Sequence, residues 1–331
     1  MSIKRIAAGR TACIALFLAC TAPALHAQAP AGAAAWPQKT VRLIVPSSPG
    51  GGVDTLGRIF SKSFNESTGQ RFVVDNRAGA GTMLGTEIAA KAPPDGYTLL
   101  LASAALAVNT ALNPNLNFEP LKDLVPVTWV SSTPLMLGTH PSVPAKSVKE
   151  LITVAKARRG QLNGASSGSG TTSHMSVEMF RQMAGLDVTH VPYNGAAPAS
   201  IATISGQVDF LFSNMISVYP QGKAGKLRVL AVTTAKRSRA APEVPSVSES
   251  IPGFETDNWY GFFVPAGTPS TVISRLNAEA LKALKSPDVL SIMAKEGAEP
   301  VGSTPEELAS KLRSEVDRYA KVIKAARVRP D

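Results

Sequence analysis

Two stretches of this sequence concentrate groups that can hold an anion. The first is Pro46-Ser47-Ser48-Pro49-Gly50-Gly51-Gly52-Val53-Asp54-Thr55. Three consecutive glycines let the backbone approach a ligand closely and turn its N–H groups toward it. A helix starting directly behind them adds unpaired amide donors and the positive end of its dipole. Together these make a seat for a carboxylate or a phosphate. Asp54 falls at the helix start, where a carboxylate bonds free backbone N–H groups; a polar or cationic part of a ligand is its other candidate partner. A tight turn before a capped helix is the plainer reading, but three glycines exceed what a turn requires. Ser47, Ser48, Gly50, Gly51, Gly52 and Asp54 are therefore candidate ligand residues.

The second stretch is Gly164-Ala165-Ser166-Ser167-Gly168-Ser169-Gly170-Thr171-Thr172-Ser173-His174. It offers hydroxyl and amide donors without a fixed charge, and Ser166, Ser167, Ser169, Thr171 and Thr172 are the candidates. His174 is either a residue of the helix start or a direct ligand contact. The same letters match G-x-S-x-G, which makes Ser166 a would-be nucleophile. Such an elbow needs an acid and then a histidine, and Asp187 and His190 supply that order only three residues apart. A secreted serine hydrolase is thus the rival function. Two weaker candidates complete a cleft: Tyr193 and Asn194 at a strand end, and Asp209 amid apolar neighbours.

Other chemistries lack their residues. No G-x-x-x-x-G-K-[ST] occurs, and the glycine after Gly79-Ala80-Gly81 comes at Gly85, one residue late for a dinucleotide turn. His140, His174 and His190 show no metal-ligand spacing. No cofactor is expected.

The elements that must position these loops alternate. Val41 to Val45 reads as a strand, followed by helical spacing of Val53, Leu56, Ile59, Phe60 and Phe64. Strands at 71–75 and 97–102 flank a helix at 83–92. After a Pro-marked stretch from Pro134 to Pro144, the rhythm restarts with helices at 148–158, 172–183 and 197–205 and strands at 162–166, 188–193, 208–212 and 227–233. Short apolar strands alternating with helices imply parallel sheets covered on both faces. Three helices at 271–284, 287–296 and 305–326 end the chain, the last opened by Thr304-Pro305-Glu306-Glu307. The fold class is α/β in two lobes. Ligands of such sheets sit at the carboxyl ends of strands, where both glycine-rich stretches lie.

The first 27 residues read as a removable export signal. Lys4, Arg5 and Arg10 precede an apolar run that is too short, and too interrupted by Pro23, to span a bilayer. Both cysteines, Cys13 and Cys20, fall inside it. The net charge of +10 then drops by three to +7. The remaining basic residues are scattered, and aromatics are 6% of the chain, so no nucleic-acid-binding pattern appears.

At these residues the chain resembles the Bug, or TctC-type, extracytoplasmic solute receptors of the tripartite tricarboxylate transporter systems. The resemblance runs from Trp36-Pro37 nearly to the end. It includes Pro49-Gly50-Gly51-Gly52 with Asp54, Asn76-Arg77-Ala78-Gly79-Ala80-Gly81, Pro94-Asp95-Gly96-Tyr97, His190-Val191-Pro192-Tyr193, Gly206-Gln207-Val208-Asp209, Lys236-Arg237-Ser238 and Pro265-Ala266-Gly267-Thr268-Pro269. It implies a two-lobed, type II-like periplasmic binding fold with two chain crossovers: 36–131 and 258–331 in one lobe, 132–257 in the other. It implies a monomeric receptor that captures a small carboxylate (a di- or tricarboxylate, an aromatic acid or an acidic amino acid) between Ser47–Gly52 and Ser166–Thr172, without catalysis. Its partner would be a membrane permease, or a signalling protein in its place. The family often carries an aromatic or small apolar pair where Ser47 and Ser48 stand, so a more polar pocket is expected here.

Overall fold

The structure is a computed structural model and describes residues 36–50, 52–113, 115–193, 195–295, 297–326 and 328. The export signal expected over 1–27 and both cysteines lie outside the described residues, as do Gly51 and Asn194.

Eleven strands are described: β1 (Val41–Val45), β2 (Phe72–Asn76), β3 (Thr98–Ser103), β4 (Leu124–Ser132), β5 (Leu135–Thr139), β6 (Asn163–Ser166), β7 (Thr189–Pro192), β8 (Phe210–Asn214), β9 (Arg228–Val232), β10 (Tyr260–Pro265) and β11 (Glu299–Pro300). They form a six-stranded sheet in the order β11-β4-β10-β3-β1-β2 and a five-stranded sheet in the order β7-β6-β8-β5-β9. The central strand β3, Thr-Leu-Leu-Leu-Ala-Ser, is buried at all six positions. Helices cover both faces of such a strand, so it lacks in–out alternation. The helix Gly52–Thr68 buries Leu56, Ile59, Phe60 and Phe64, and Phe60 and Phe64 both meet Phe262 of β10.

The expected parallel arrangement holds only for part of each sheet. β2, β1 and β3 run parallel, as do β7, β6 and β8. By contrast β10 is antiparallel to β3 and β4, β11 to β4, and β5 to β8 and β9. A crossover helix returns the chain in the same direction and so gives parallel neighbours. The exceptions include the strands that carry the chain between sheets. Only Thr133 and Pro134 separate β4 in the first sheet from β5 in the second. The chain returns between β9 and β10, and the two crossings touch through a Pro134–Asp257 bridge. There the buried Asp257 accepts hydrogen bonds from Ser132 Oγ (2.8 Å) and the Thr133 amide (3.1 Å).

The last helix, Pro305–Ala326, opens as the sequence suggests. The Thr304 amide donates to Glu307 Oε2 (2.8 Å) and the Glu307 amide to Thr304 Oγ1 (3.2 Å), a reciprocal cap. It buries Leu308, Leu312 and Tyr319 and packs against β4, the helix Ala105–Leu112 and the helix Thr172–Met183. The last helix therefore packs against the first sheet while also touching a helix that covers the second.

Candidate ligand-binding site

The first glycine-rich loop joins β1 to the helix Gly52–Thr68, at the carboxyl end of a parallel strand. Gly50 adopts φ +86°, with open space where a side chain would begin. Its amide is already engaged, donating to Asp54 Oδ2 at 2.9 Å. Asp54, buried at the helix start, also accepts from Arg58 Nε (3.0 Å) and from Asn76 Nδ2 (3.0 Å). Asn76 Nδ2 in turn reaches the Ser47 carbonyl (3.1 Å), tying the loop to β2. Burial alone would raise the Asp54 carboxyl, but the hydrogen bonds from Arg58, the Gly50 amide and Asn76 outweigh it and hold the group below its ordinary value. Asp54 therefore organises the loop from within. Ser48 is exposed, while Ser47 Oγ is buried without a hydrogen-bond partner.

The second loop joins β6 to the helix Thr172–Met183. Gly168 and Gly170 have φ of +134° and +71°, which side-chain-bearing residues adopt with difficulty. Thr171 caps the helix by accepting from the His174 amide (3.3 Å) and donates to the Gly168 carbonyl (2.6 Å). Ser173 Oγ accepts from the Ser167 amide (2.9 Å) and donates to the Phe212 carbonyl (2.6 Å), pinning the loop to β8. Tyr193 joins it through its backbone, donating to the Ser166 carbonyl at 3.1 Å. Thr172 Oγ1, like Ser47 Oγ, is buried without a partner. Ser169 lines a cavity against the other lobe.

The two lobes meet at these loops. Gly52 and Leu56 of the first lobe line a small gap together with Asn214, at the carboxyl end of β8, and Thr133 of the crossing. Nearby, Asn109 Nδ2 lies 2.9 Å from the Gly81 carbonyl of its own lobe and 3.1 Å from the Gly170 carbonyl of the second loop.

Comparison with known proteins decides the family. The family model described as tripartite tricarboxylate transporter family receptor matches residues 56–328. The chain belongs to that family. It is 37% identical over 299 residues to protein BugT of Bordetella pertussis, covering 89% of this chain and 92% of that one. The fold is also similar to that of Rpa4515 of R. palustris solved with adipate (TM-score 0.82, 34% identity, 89% of this chain and 100% of that one). MatC of Rhodopseudomonas palustris with bound malate gives a TM-score of 0.78 at 31% identity, over 87% and 100% of the two chains. Like other receptors of this family, the chain has the two-lobed periplasmic binding fold. Among the described residues, no helix is long and apolar enough to cross a membrane.

Several expectations change in this receptor. Ser166 and His190, the would-be hydrolase pair, do meet: Ser166 Oγ lies 2.6 Å from His190 Nε2. Asp187 does not join them. It is exposed at the amino end of β7, its backbone carbonyl accepting from the Gly160 amide (2.9 Å). Ser166 itself is fully buried. Burial, then the neighbouring His174 and Arg181, push His190 down to about 3, which leaves it a weak proton acceptor.

His174 and His190, far apart in sequence, stack at 4.0 Å with their planes 9° apart. With Glu178 they bring potential ligand atoms within 4.8 Å of one another. A metal lies near the plane of each imidazole that binds it, and two parallel stacked rings share no such point. Glu178 is also held by Arg181 Nε at 2.9 Å. His174 Nδ1 accepts from the Gly170 amide (3.2 Å), so this side chain supports the loop from behind. Asp209 lies apart from the two loops. Its Oδ2 accepts from the Asn163 amide (2.8 Å) at the start of β6, the opposite end of the strand from Ser166.

Asn76 and Asn109 are the residues that sequence reasoning missed as site builders. For Asn109 a signal existed: one amide directly after the apolar run Ala104-Ala105-Leu106-Ala107-Val108.

Proposed function

We propose that this protein is a monomeric periplasmic receptor that captures a small carboxylate between its lobes and delivers it to a membrane permease of the tripartite tricarboxylate type. The lobes would comprise 36–131 with 258–331, and 132–257, exported behind the segment 1–27. The ligand carboxylate would lie between the loops at Ser47–Gly52 and Ser166–Thr172, with Tyr193 and Asn194 as further ligand-binding candidates.

The observation that carries this reading is the pair Ser47 Oγ and Thr172 Oγ1. Each is a buried hydroxyl without a partner, beside a helix start, in a different lobe. A buried unpaired hydroxyl costs about 1–3 kcal/mol, which an incoming carboxylate would offset. Neutral hydroxyl and amide donors would also avoid burying a cation beside the site. Bound adipate and malate in the similar structures named above support the choice of a carboxylate. In the mechanism, one lobe binds first and the other completes the donor set as the hinge closes.

Calorimetric titration of ligand-stripped protein with monocarboxylates, dicarboxylates, aromatic acids and acidic amino acids tests this. Heat is expected from at least one class, with affinity about tenfold or more lower in Thr172→Ala. No heat from a folded sample would overturn the reading. The Ser166–His190 contact favours hydrolysis as the competing reading, and ester turnover that disappears in Ser166→Ala would establish it instead.

A further inference from the structure

We propose that the cavity beside Asn109 receives the remainder of the ligand and selects an elongated acid whose tail is uncharged and mainly apolar. This rests on the carboxylate-receptor reading above and extends it to the class of acid.

The cavity measures about 300 Å³ and opens between the lobes. That is the lower end of the range for small-molecule sites. It borders the second loop directly and reaches the first only through the helix Met83–Ala90, which packs on it. Ser169 and Gly170 of the second loop form one wall. On the other side stands Met83, two residues before Gly85, whose backbone packs closely on Pro46 at the head of the first loop. A tail leaving a carboxylate held between those loops would enter here.

The chemistry of the walls sets the class. Met83, Leu112 and Leu116 are apolar, while Asn109, Asn113 and Ser169 are polar and neutral; among the described residues no charged side chain lines the space. A second charge entering it would lose hydration without gaining a counter-ion. The ammonium of an amino acid and the extra carboxylates of a tricarboxylate are therefore selected against. Methylenes gain from Met83 and Leu112, both buried. The amide of Asn109 keeps the wall in place. A side chain on Gly170 would begin 2.9 Å from Asn109 Oδ1, and one on Gly81 3.1 Å from it.

The test is calorimetric titration of stripped wild-type protein, Leu116→Trp and Leu112→Trp with linear monocarboxylates from acetate to octanoate. A parallel series carries a terminal ammonium in place of the methyl group. Leu116 is only half-buried, so its variant guards against misfolding of the buried Leu112 substitution, and circular dichroism verifies each fold. Wild-type affinity should rise about fourfold per methylene until the space is filled. The ammonium series should show no such rise, and the tryptophan variants should flatten the rise of the methyl-ended series. An unchanged slope in the variants, or preference for the charged tails, overturns the cavity assignment and leaves the receptor reading standing. Failure of every carboxylate to bind the folded wild-type protein overturns both.

Discussion

Asp54 shows how one side chain builds a loop. Its carboxylate gathers the Gly50 amide, Arg58 and Asn76 from a helix, a turn and a neighbouring strand. Removing it leaves the Gly50 amide and one hydrogen of the Asn76 amide without their acceptor. Asp54→Ala should therefore lower stability by about 2 kcal/mol in urea unfolding, with Asp54→Asn losing less because it keeps one acceptor oxygen. Asp54 was legible as a helix-start acid because residue type and position suffice for that inference. That it occupies one of the glycine amides was not, because that depends on where the turn places Gly50. The histidines failed for a related reason. Sequence spacing cannot register that β7 lies beneath the helix Thr172–Met183, and only that packing stacks His190 on His174. His190, neutral at ordinary pH, lies within hydrogen-bond distance of the Ser166 hydroxyl at Nε2.

At the scale of elements, the parallel strands β1, β3, β6 and β7 and the long helices were readable because their periodicity is strong. β4 and β5 were not. β4 contains Pro126 and polar residues at Thr128, Ser131 and Ser132, and β5 lies in the stretch marked by Pro134, Pro141 and Pro144. The helix Ala105–Leu112 begins without a side-chain cap, and Met215–Lys223 contains Pro220, so neither announced itself. Yet Ala105–Leu112 carries Asn109, which fastens one lobe to the other through the Gly170 carbonyl. A hydrogen bond of ordinary strength contributes about 0.5–1.5 kcal/mol. Asn109→Ala should speed ligand release by about two- to tenfold, with a smaller change in the association rate; stopped-flow measurement separates the two.

For the whole molecule, the crossings hold the most consequential buried charge. Burial, with a contribution from Glu315, pushes Asp257 up to about 6 against the opposing effects of Lys311, Ser132 and the Thr133 amide. The folded state thus keeps a proton that the unfolded chain releases near 4. Between those values the folded form binds more protons, so this group lowers stability as pH rises, by about 3 kcal/mol across the window. His190 acts in the other direction, because its depressed value means that stability falls as pH drops below about 6.5. Asp257→Asn keeps an acceptor for Ser132 and Thr133. Its stability relative to wild type should therefore increase between pH 4 and pH 7, a difference in which the His190 contribution cancels. Urea unfolding at the two pH values measures it; a constant difference would mean that Asp257 binds no extra proton in the folded state.

The return of the chain to the first sheet has one further consequence, for the order of assembly. β5 to β9 are consecutive, so the five-stranded sheet is complete once Val232 has been made. The six-stranded sheet lacks β10, its partner for both β3 and β4, until residue 265, and its covering helix until residue 326. The half of the molecule that begins the chain is therefore the last to close. Until then β1, β2 and β3 can pair only with one another, and the edges of β3 and β4 that β10 joins stay open.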